Sequence, residues 1–317
     1  MTALDAPPAP PAPAGAGRGR RAGSKAKRQR APRPPQPVTQ ADQLLSGATT
    51  TAVMCVLVAG WMLVQMLFGG AVSQERAQAL LHAQLRSDLA AGTASMGPVT
   101  EVGSPVALLR IPDIGLEQVV VEGTASGDLL VGPGHQRNTV LPGQAGTSAI
   151  QGRSTTYGAP FARIAELTTG QKIEVVTAQG TTLFRVLGVR RTGDTLPQPR
   201  REGAARLVLV SGTSAGRMAN LTSTEVLYVD AEAAKSFPTP AGIPSAIPEP
   251  ELPMGTEPGA VPLLTLCLGL LLAVTLGLIA ARQRFHDALV WLVATPVVIA
   301  CAWATTDVVM RLLPNLL

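Results

Sequence analysis

Residues 105–123, PVALLRIPDIGLEQVVVEG, form two short runs of aliphatic residues joined by a turn that contains proline, aspartate and glycine. Further runs of this kind follow, each bounded by turn residues, at 146–152, 172–178, 181–193, 205–212 and 224–231. Short strands at such spacing are typical of an antiparallel sandwich or a closed barrel. We therefore predict a mainly β domain over residues 105–232, a closed barrel of seven to eight strands. The segment YGAPFARIAEL at 157–167 is its one helix-like interruption.

The composition indicates a chain that combines membrane spans with one modest domain. It is 46% hydrophobic but only 15% charged, with 27 prolines and 32 glycines, which is unusual for a single soluble domain. Uncharged apolar runs lie at 49–72, 260–281 and 288–306. Since about 20 residues of helix cross a hydrocarbon core of roughly 30 Å, we predict three transmembrane α-helices there.

The segments outside the barrel and the spans follow from composition. Residues 1–46 are predicted to be a disordered, basic, Pro/Ala-rich cytoplasmic tail. Residues 73–92 are predicted to form an amphipathic helix, because Leu81, Leu85 and Leu89 recur every four residues. Residues 236–258 are a Pro-rich linker.

The basic tail also predicts the orientation in the membrane. Residues 18–33 contain eight lysines and arginines and no acidic residue. Such a run binds nucleic acid in some proteins, but a membrane span follows it, so we interpret it as a solvated cytoplasmic tail and predict no nucleic-acid partner. Lysine and arginine are enriched on the cytoplasmic side. We therefore predict a plasma-membrane protein with its N-terminus inside and its barrel outside.

The cysteines argue against disulfide and zinc chemistry. Cys55, Cys267 and Cys301 each lie in an apolar run, and residues 105–231 contain none. The acidic residues of the barrel show no spacing typical of metal ligands. We predict neither a metal site nor a cofactor.

Four consecutive segments of the barrel resemble the sortases, most closely the housekeeping-like types of high-GC Gram-positive bacteria. They are LLRIPDIGLEQVVVEGTASGDLLVGPGH at 108–135, TVLPGQAGTSAIQG at 139–152, the stretch 155–193, and ARLVLVSGT at 205–213. The resemblance implies a closed sortase-like barrel. It also implies a cysteine transpeptidase whose thiolate attacks a sorting-signal peptide, with a histidine as acid and base and an arginine at the oxyanion.

At the positions that the resemblance assigns to these three roles, the chain has other residues. Arg153, followed by Ser154, stands where the family has its histidine, and an arginine with a pKa above about 12 is no acid or base near neutral pH. Gly212 stands at the nucleophile position, and Glu225 or Val226 at the arginine position. We therefore expect a degenerate active site without catalytic residues.

A rebuilt site is the alternative. Ser211 adjoins the nucleophile position, His135 is the only histidine of the barrel, and Arg217 lies in the loop after Gly212. Neighbouring strand residues point to opposite faces, and a serine needs a base. The structural alternative is that Ser211 ends its strand and His135 has a packing or hydrogen-bonding role.

The sequence thus predicts a membrane-anchored, extracytoplasmic sortase-like protein that is not an enzyme. It would bind a sorting-signal-like peptide, or act as a subunit or scaffold with other envelope or membrane proteins. An active sortase-type transpeptidase or hydrolase with a rebuilt site, and a purely structural envelope protein, are the alternatives. The old groove is expected either to be plugged by a contact between Arg153 and Glu225 or to be open for binding.

Overall fold

The barrel consists of eight strands and appears in a computed structural model that describes residues 40–97, 100–213 and 225–317. The strands are β1 Pro105–Ile111, β2 Leu116–Glu122, β3 Gly134–His135, β4 Gly146–Gln151, β5 Lys172–Thr177, β6 Gly180–Arg191, β7 Ala205–Gly212 and β8 Val226–Ala233. They close in the order β1-β2-β3-β4-β7-β8-β6-β5. The predicted closed β-barrel is thereby confirmed.

Most neighbouring strands are antiparallel, but two pairs are parallel. β2 runs parallel to β3, and β4 runs parallel to β7 with Gln151 opposite Val210. The ladder between β7 and β8 ends with Gly212 opposite Val226. Because β4 and β7 point the same way, the residues that follow both strands emerge at the same end of the barrel.

The barrel interior is filled by aliphatic side chains and two phenylalanines. Along β6, buried and exposed residues alternate, as expected for a strand with one face on the core. Phe161 and Phe184 are fully buried among residues from all the long strands. This core fixes the register of β4 and β7, since a slip of one residue would turn buried side chains outward.

One nearly continuous helical run precedes the barrel. It comprises α1 Gln40–Val64, a π-helical turn Gln65–Gly69 and α2 Gly70–Ala91. The helix therefore begins inside the segment predicted to be disordered and does not break at residue 72. Residues with good helix propensity flank the apolar run, among them Gln40 and Ala41 before it and Glu75, Arg76 and Ala77 after it, so the helix continues past the run.

Helix α2 packs on the barrel through one face. Leu81, Leu85 and Leu89 contact Leu108 and Val119. A glutamine adds a strand-like bond: Gln78 Oε1 accepts from the Val119 amide at 2.7 Å, and Gln78 Nε2 donates to the Val119 carbonyl at 3.0 Å.

Two further helices follow the barrel, α3 Val261–Arg282 and α4 Asp287–Leu312. Together with residues 47–64 of α1, they give three helices long and apolar enough to cross a membrane. The prediction of three helices with the length and composition of membrane spans is confirmed. The chain divides into two compact units, residues 1–43 and 44–317, and the second contains the barrel and all the contacts described below.

The predicted orientation can be checked with single cysteines in a chain whose Cys55, Cys267 and Cys301 are replaced by alanine. Glu202→Cys lies on the exposed barrel surface, so it should react with a membrane-impermeant maleimide on intact, wall-permeabilised cells. Lys25→Cys should react only after lysis. Labelling of Lys25→Cys alone in intact cells would show that the orientation is reversed.

Candidate functional site

The candidate site lies at the end of the barrel where β4 and β7 both stop. The Gly152 amide donates to the Val210 carbonyl at 3.0 Å, which carries the pairing one residue beyond β4. Residues 153–156 then turn over the end of β7, near Gly212. The structure therefore brings together four of the positions that the sequence singles out, which are Arg153, Ser154, Gly212 and Val226.

Arg153 is fully buried at this end of the barrel. One guanidinium nitrogen donates to the carbonyl and the hydroxyl of Ser126, both at 2.8 Å, and the other donates to Thr156 Oγ1 at 3.1 Å. The second nitrogen also reaches the Leu317 carbonyl at 3.4 Å. Burial lowers the pKa of Arg153 to about 10, so it stays charged at neutral pH. Its charge is dispersed over hydroxyl and carbonyl oxygens.

Tyr157 joins this group to helix α4. Its hydroxyl hydrogen-bonds the Asp307 carboxylate, and the Arg153 guanidinium lies 5.9 Å from the centre of its ring. Burial, and then the bond to Asp307, raise the pKa of Tyr157. The φ angle of Tyr157 is 48°, and that of Ala159 is 46°. Such left-handed conformations are costly outside glycine and are held here by the surrounding contacts.

The space above these residues is filled by the chain's own residues 313–317, Leu-Pro-Asn-Leu-Leu, which directly follow α4. Both the amide and the hydroxyl of Ser154 donate to the Leu316 carbonyl, each at 3.1 Å. Thr156 Oγ1 donates to the Leu317 carbonyl at 2.7 Å. The segment makes a tight turn, since the Leu317 amide donates to the Pro314 carbonyl at 3.3 Å.

Two side chains of the segment are fully buried. Asn315 Nδ2 donates to the Thr124 carbonyl at 2.7 Å and to the Leu252 carbonyl at 3.0 Å. Leu316 packs in a small apolar pocket with Leu129, Val210 and Val226. The segment is thus held by main-chain and side-chain contacts alike.

Gly212 lies directly beneath this segment. A Cβ atom built on Gly212 would be 3.1 Å from the Leu316 carbonyl oxygen, 3.1 Å from Ser154 Oγ and 3.8 Å from the Leu316 carbonyl carbon. A side chain at this position would therefore press against the carbonyl group that Ser154 holds. Glycine leaves room for the backbone to approach closely.

The expected contact between Arg153 and Glu225 is replaced by the bonds to Ser126, Thr156 and Leu317. Glu225 is exposed just before β8, and its carbonyl accepts from the Thr213 amide at 3.1 Å. Val226 is buried beside Leu316. The groove is closed, but by residues 313–317.

Ser211 and His135, which were considered for a rebuilt site, form hydrogen bonds with neighbouring groups of the barrel. Ser211 Oγ donates to the Gly152 carbonyl at 2.8 Å. His135 is buried, with one ring nitrogen 2.9 Å from Glu122 Oε2 and the other 2.8 Å from the Val140 carbonyl oxygen. Arg217 lies outside the described residues.

The loop before β3 contributes polar groups that the sequence did not indicate. Ser126 Oγ donates to the Met310 carbonyl at 2.7 Å and accepts from Arg153. Asp128 Oδ2 accepts from the Ala125 amide at 3.2 Å, and burial raises its pKa to about 6. No sequence motif around Ser126 or Asp128 indicates a role for either residue. Within the described ranges, no group of three or more metal-ligating side chains is present.

Chemically, the site presents hydrogen-bond donors to the main-chain carbonyl groups of Leu316 and Leu317. The amide and the hydroxyl of Ser154 both donate to the Leu316 carbonyl oxygen. The Thr156 hydroxyl donates to the carbonyl oxygen of the next residue, Leu317. Paired donors of this kind bind a peptide carbonyl and also stabilise negative charge that develops on it. The adjacent apolar pocket would select an aliphatic side chain.

Comparison with known proteins identifies the domain. A family model for the sortase domain matches residues 109–231. Sortase D of Bacillus subtilis (strain 168) is 31% identical over 101 residues, which cover 32% of this chain and 48% of that protein. The chain thus spans about half the length of this curated relative.

Solved structures of similar proteins are also sortases. A Sortase D5 transpeptidase of Clostridium perfringens is 20% identical, with a TM-score of 0.40, and the match covers 50% of this chain and 97% of that one. A mutant of sortase E from Streptomyces avermitilis is 28% identical, with a TM-score of 0.35, over 46% and 98% of the two chains. Sortase C of Clostridium perfringens, solved with the C-terminal cell wall sorting motif, is 18% identical, with a TM-score of 0.38, over 50% and 89%.

These comparisons correct one expectation. The expectation that the chain is not an enzyme is wrong, because the match to the sortase-domain model and the relative named sortase D point to a family of enzymes. The predicted resemblance to sortases is confirmed. Residues 109–231 of this chain are similar to the sortase domain.

Proposed function

We propose that this protein displays its sortase domain on the outer face of the plasma membrane of a Gram-positive cell and binds short peptide segments of the sorting-signal kind. The observation that carries the proposal is the convergence of the Ser154 amide and hydroxyl on one main-chain carbonyl, with Thr156 on the next. These contacts recognise a peptide backbone. The outward placement rests on the basic tail and the three membrane helices.

The same contacts supply affinity and selectivity by different means. Hydrogen bonds to main-chain carbonyls accept any sequence, whereas the pocket of Leu129, Val210 and Val226 favours an aliphatic side chain. Arg153 holds Ser126 and Thr156 in place from below, so the donors are oriented before a peptide arrives. Preorganisation of this kind lowers the entropy cost of binding.

The partners that fit this site are envelope or membrane proteins carrying an accessible peptide segment. The membrane hairpin supports an assembly role as well, because one helix would be enough to anchor the domain. Gly269 and Gly277 of α3 have no other atoms within 4 Å of an added Cβ. A second membrane helix could pack closely against such small residues.

Site-specific crosslinking tests the proposal. A diazirine analogue of leucine at Leu129 places a reactive group in the pocket with little change of shape. In the full chain in native membranes, it should crosslink to polypeptide, either from the same chain or from a partner, as mapped by mass spectrometry. The matched control is the same residue at Leu183, which is 49% exposed on the barrel wall. Products that contain only lipid or buffer molecules at Leu129 would refute peptide binding.

Hydrolysis of the bound peptide is the second candidate function, favoured by the match of residues 109–231 to the sortase-domain model. Water would attack the carbonyl carbon, and the amide bond would break to give a carboxylate and an amine. The geometry that supports it is the pair of Ser154 donors on the Leu316 carbonyl. With peptide in large excess, the full chain should then cleave a sorting-signal peptide library. Ser154→Ala should slow the cleavage by roughly 100-fold, the typical effect of removing one oxyanion donor.

The matched control for this experiment is Ser148→Ala, on β4 and also buried, which should leave the rate unchanged. An equal rate in Ser154→Ala and the unmodified chain would exclude the Ser154 role. A rate at background in the unmodified chain would exclude the candidate function itself.

A further inference from the structure

We infer that the ligand resident in the peptide site is the chain's own segment 313–317, and that this segment has to leave before a partner peptide enters. The inference rests on the proposed function, because it assumes that the site binds peptides. It adds an internal competitor and a pattern for the external ligand: proline, then asparagine, then an aliphatic residue.

The segment makes the contacts of a bound ligand. Its carbonyl groups at Leu316 and Leu317 take the donors of Ser154 and Thr156 at 2.7–3.1 Å. The Asn315 amide donates in turn to the Gly255 carbonyl at 2.9 Å, so the linker covers the segment from the other side. The segment is therefore held from two sides, by the turn after β4 and by the linker.

The protein recognises Asn315 through hydrogen bonds to its side-chain amide. Besides the Thr124 and Leu252 carbonyls, its Nδ2 reaches Gln151 Oε1 at 3.3 Å. Thr124 and Gln151 are themselves bonded to the Glu251 carbonyl. A carboxylate in place of this amide would face these carbonyl oxygens without a donor, which is costly for a buried group.

The protein recognises Leu316 through the shape of the apolar pocket around its side chain. It is fully buried against Leu129, Val210 and Val226, and its carbonyl lies above Gly212. Since a Cβ at 212 would be only 3.1 Å from that carbonyl oxygen, glycine is the residue that lets the segment settle fully. The register of the segment thus places the Leu316 carbonyl over the position that the sortase resemblance assigns to the nucleophile.

Covalent continuity makes the internal ligand a strong competitor. The segment starts immediately after α4, whose end is bonded to Ser126 through the Met310 carbonyl. A ligand tethered this closely has an effective concentration on the order of millimolar. A partner peptide can therefore bind only to the small fraction of molecules from which the segment has been released.

The test is the binding of a fluorescent peptide, acetyl-Leu-Leu-Pro-Asn-Leu-Leu-amide, to the full chain in nanodiscs. Leu316→Asp should expel the segment, because it would bury a carboxylate in the apolar pocket, and Asn315→Ala is a milder second variant. Both should bind the peptide at least about tenfold more tightly than the unmodified chain. Leu196→Asp, the same exchange at a site that is 77% exposed, should not.

A blocking substitution shows that the peptide binds in the same place. Adding Thr156→Val to Leu316→Asp removes the donor to the last carbonyl and should return binding towards the level of the unmodified chain. Thermal unfolding of each variant confirms that the barrel is intact.

The two ideas fail in different ways. Equal and measurable affinity of the unmodified chain, Asn315→Ala and Leu316→Asp would overturn the internal ligand and leave peptide binding in place. No binding by either folded opening variant would overturn peptide binding at this site, and with it the inference.

Discussion

A buried arginine charge is the constraint on which the candidate site depends. Arg153 has no exposed surface, and an unsatisfied charge in such a place would cost several kcal/mol or more, on the order of the stability of a whole domain. Its two terminal nitrogens donate to oxygens of Ser126, Thr156 and Leu317, whereas its Nε is buried without a hydrogen-bond partner among the described residues. These oxygens come from three separate parts of the chain, so the charge ties the barrel loop, the turn after β4 and the C-terminal segment together.

This network also connects the barrel to helix α4. Ser126 bonds the end of α4, and Tyr157 bonds Asp307 one turn earlier in the same helix. A movement of α4 would therefore disturb the bonds around Arg153. Conversely, release of segment 313–317 would remove contacts that hold α4 against the barrel. The contacts of residues 313–317 and the position of α4 therefore depend on each other.

The sequence predicted the elements that depend on local pattern. Alternating apolar runs and turn residues gave the strands, and length with hydropathy gave the three membrane helices. The same reasoning located Arg153 and Gly212 at one site, because it followed the order of segments shared with sortases. Peptide binding and the degenerate catalytic positions remain predictions.

The occupant of the groove could not be read from the sequence. Residues 313–317 lie 80 to 84 positions after the end of β8, and no local motif marks them as a ligand. The roles of Ser126 and Asn315 depend on contacts between residues 164 to 191 positions apart. The helical start at Gln40 was missed for another reason, since helix propensity extends a span beyond its apolar run.

Hydrogen exchange at single amides of the full chain in nanodiscs tests the seating of the segment most directly. The Asn315 amide is bonded to Gly255, and the Ser154 amide is bonded to Leu316. Both should exchange at least about 100-fold more slowly than in an unstructured peptide, as amides of cooperative structure do. Fast exchange at Asn315 and Ser154, with β7 still protected, would show that residues 313–317 do not occupy the site.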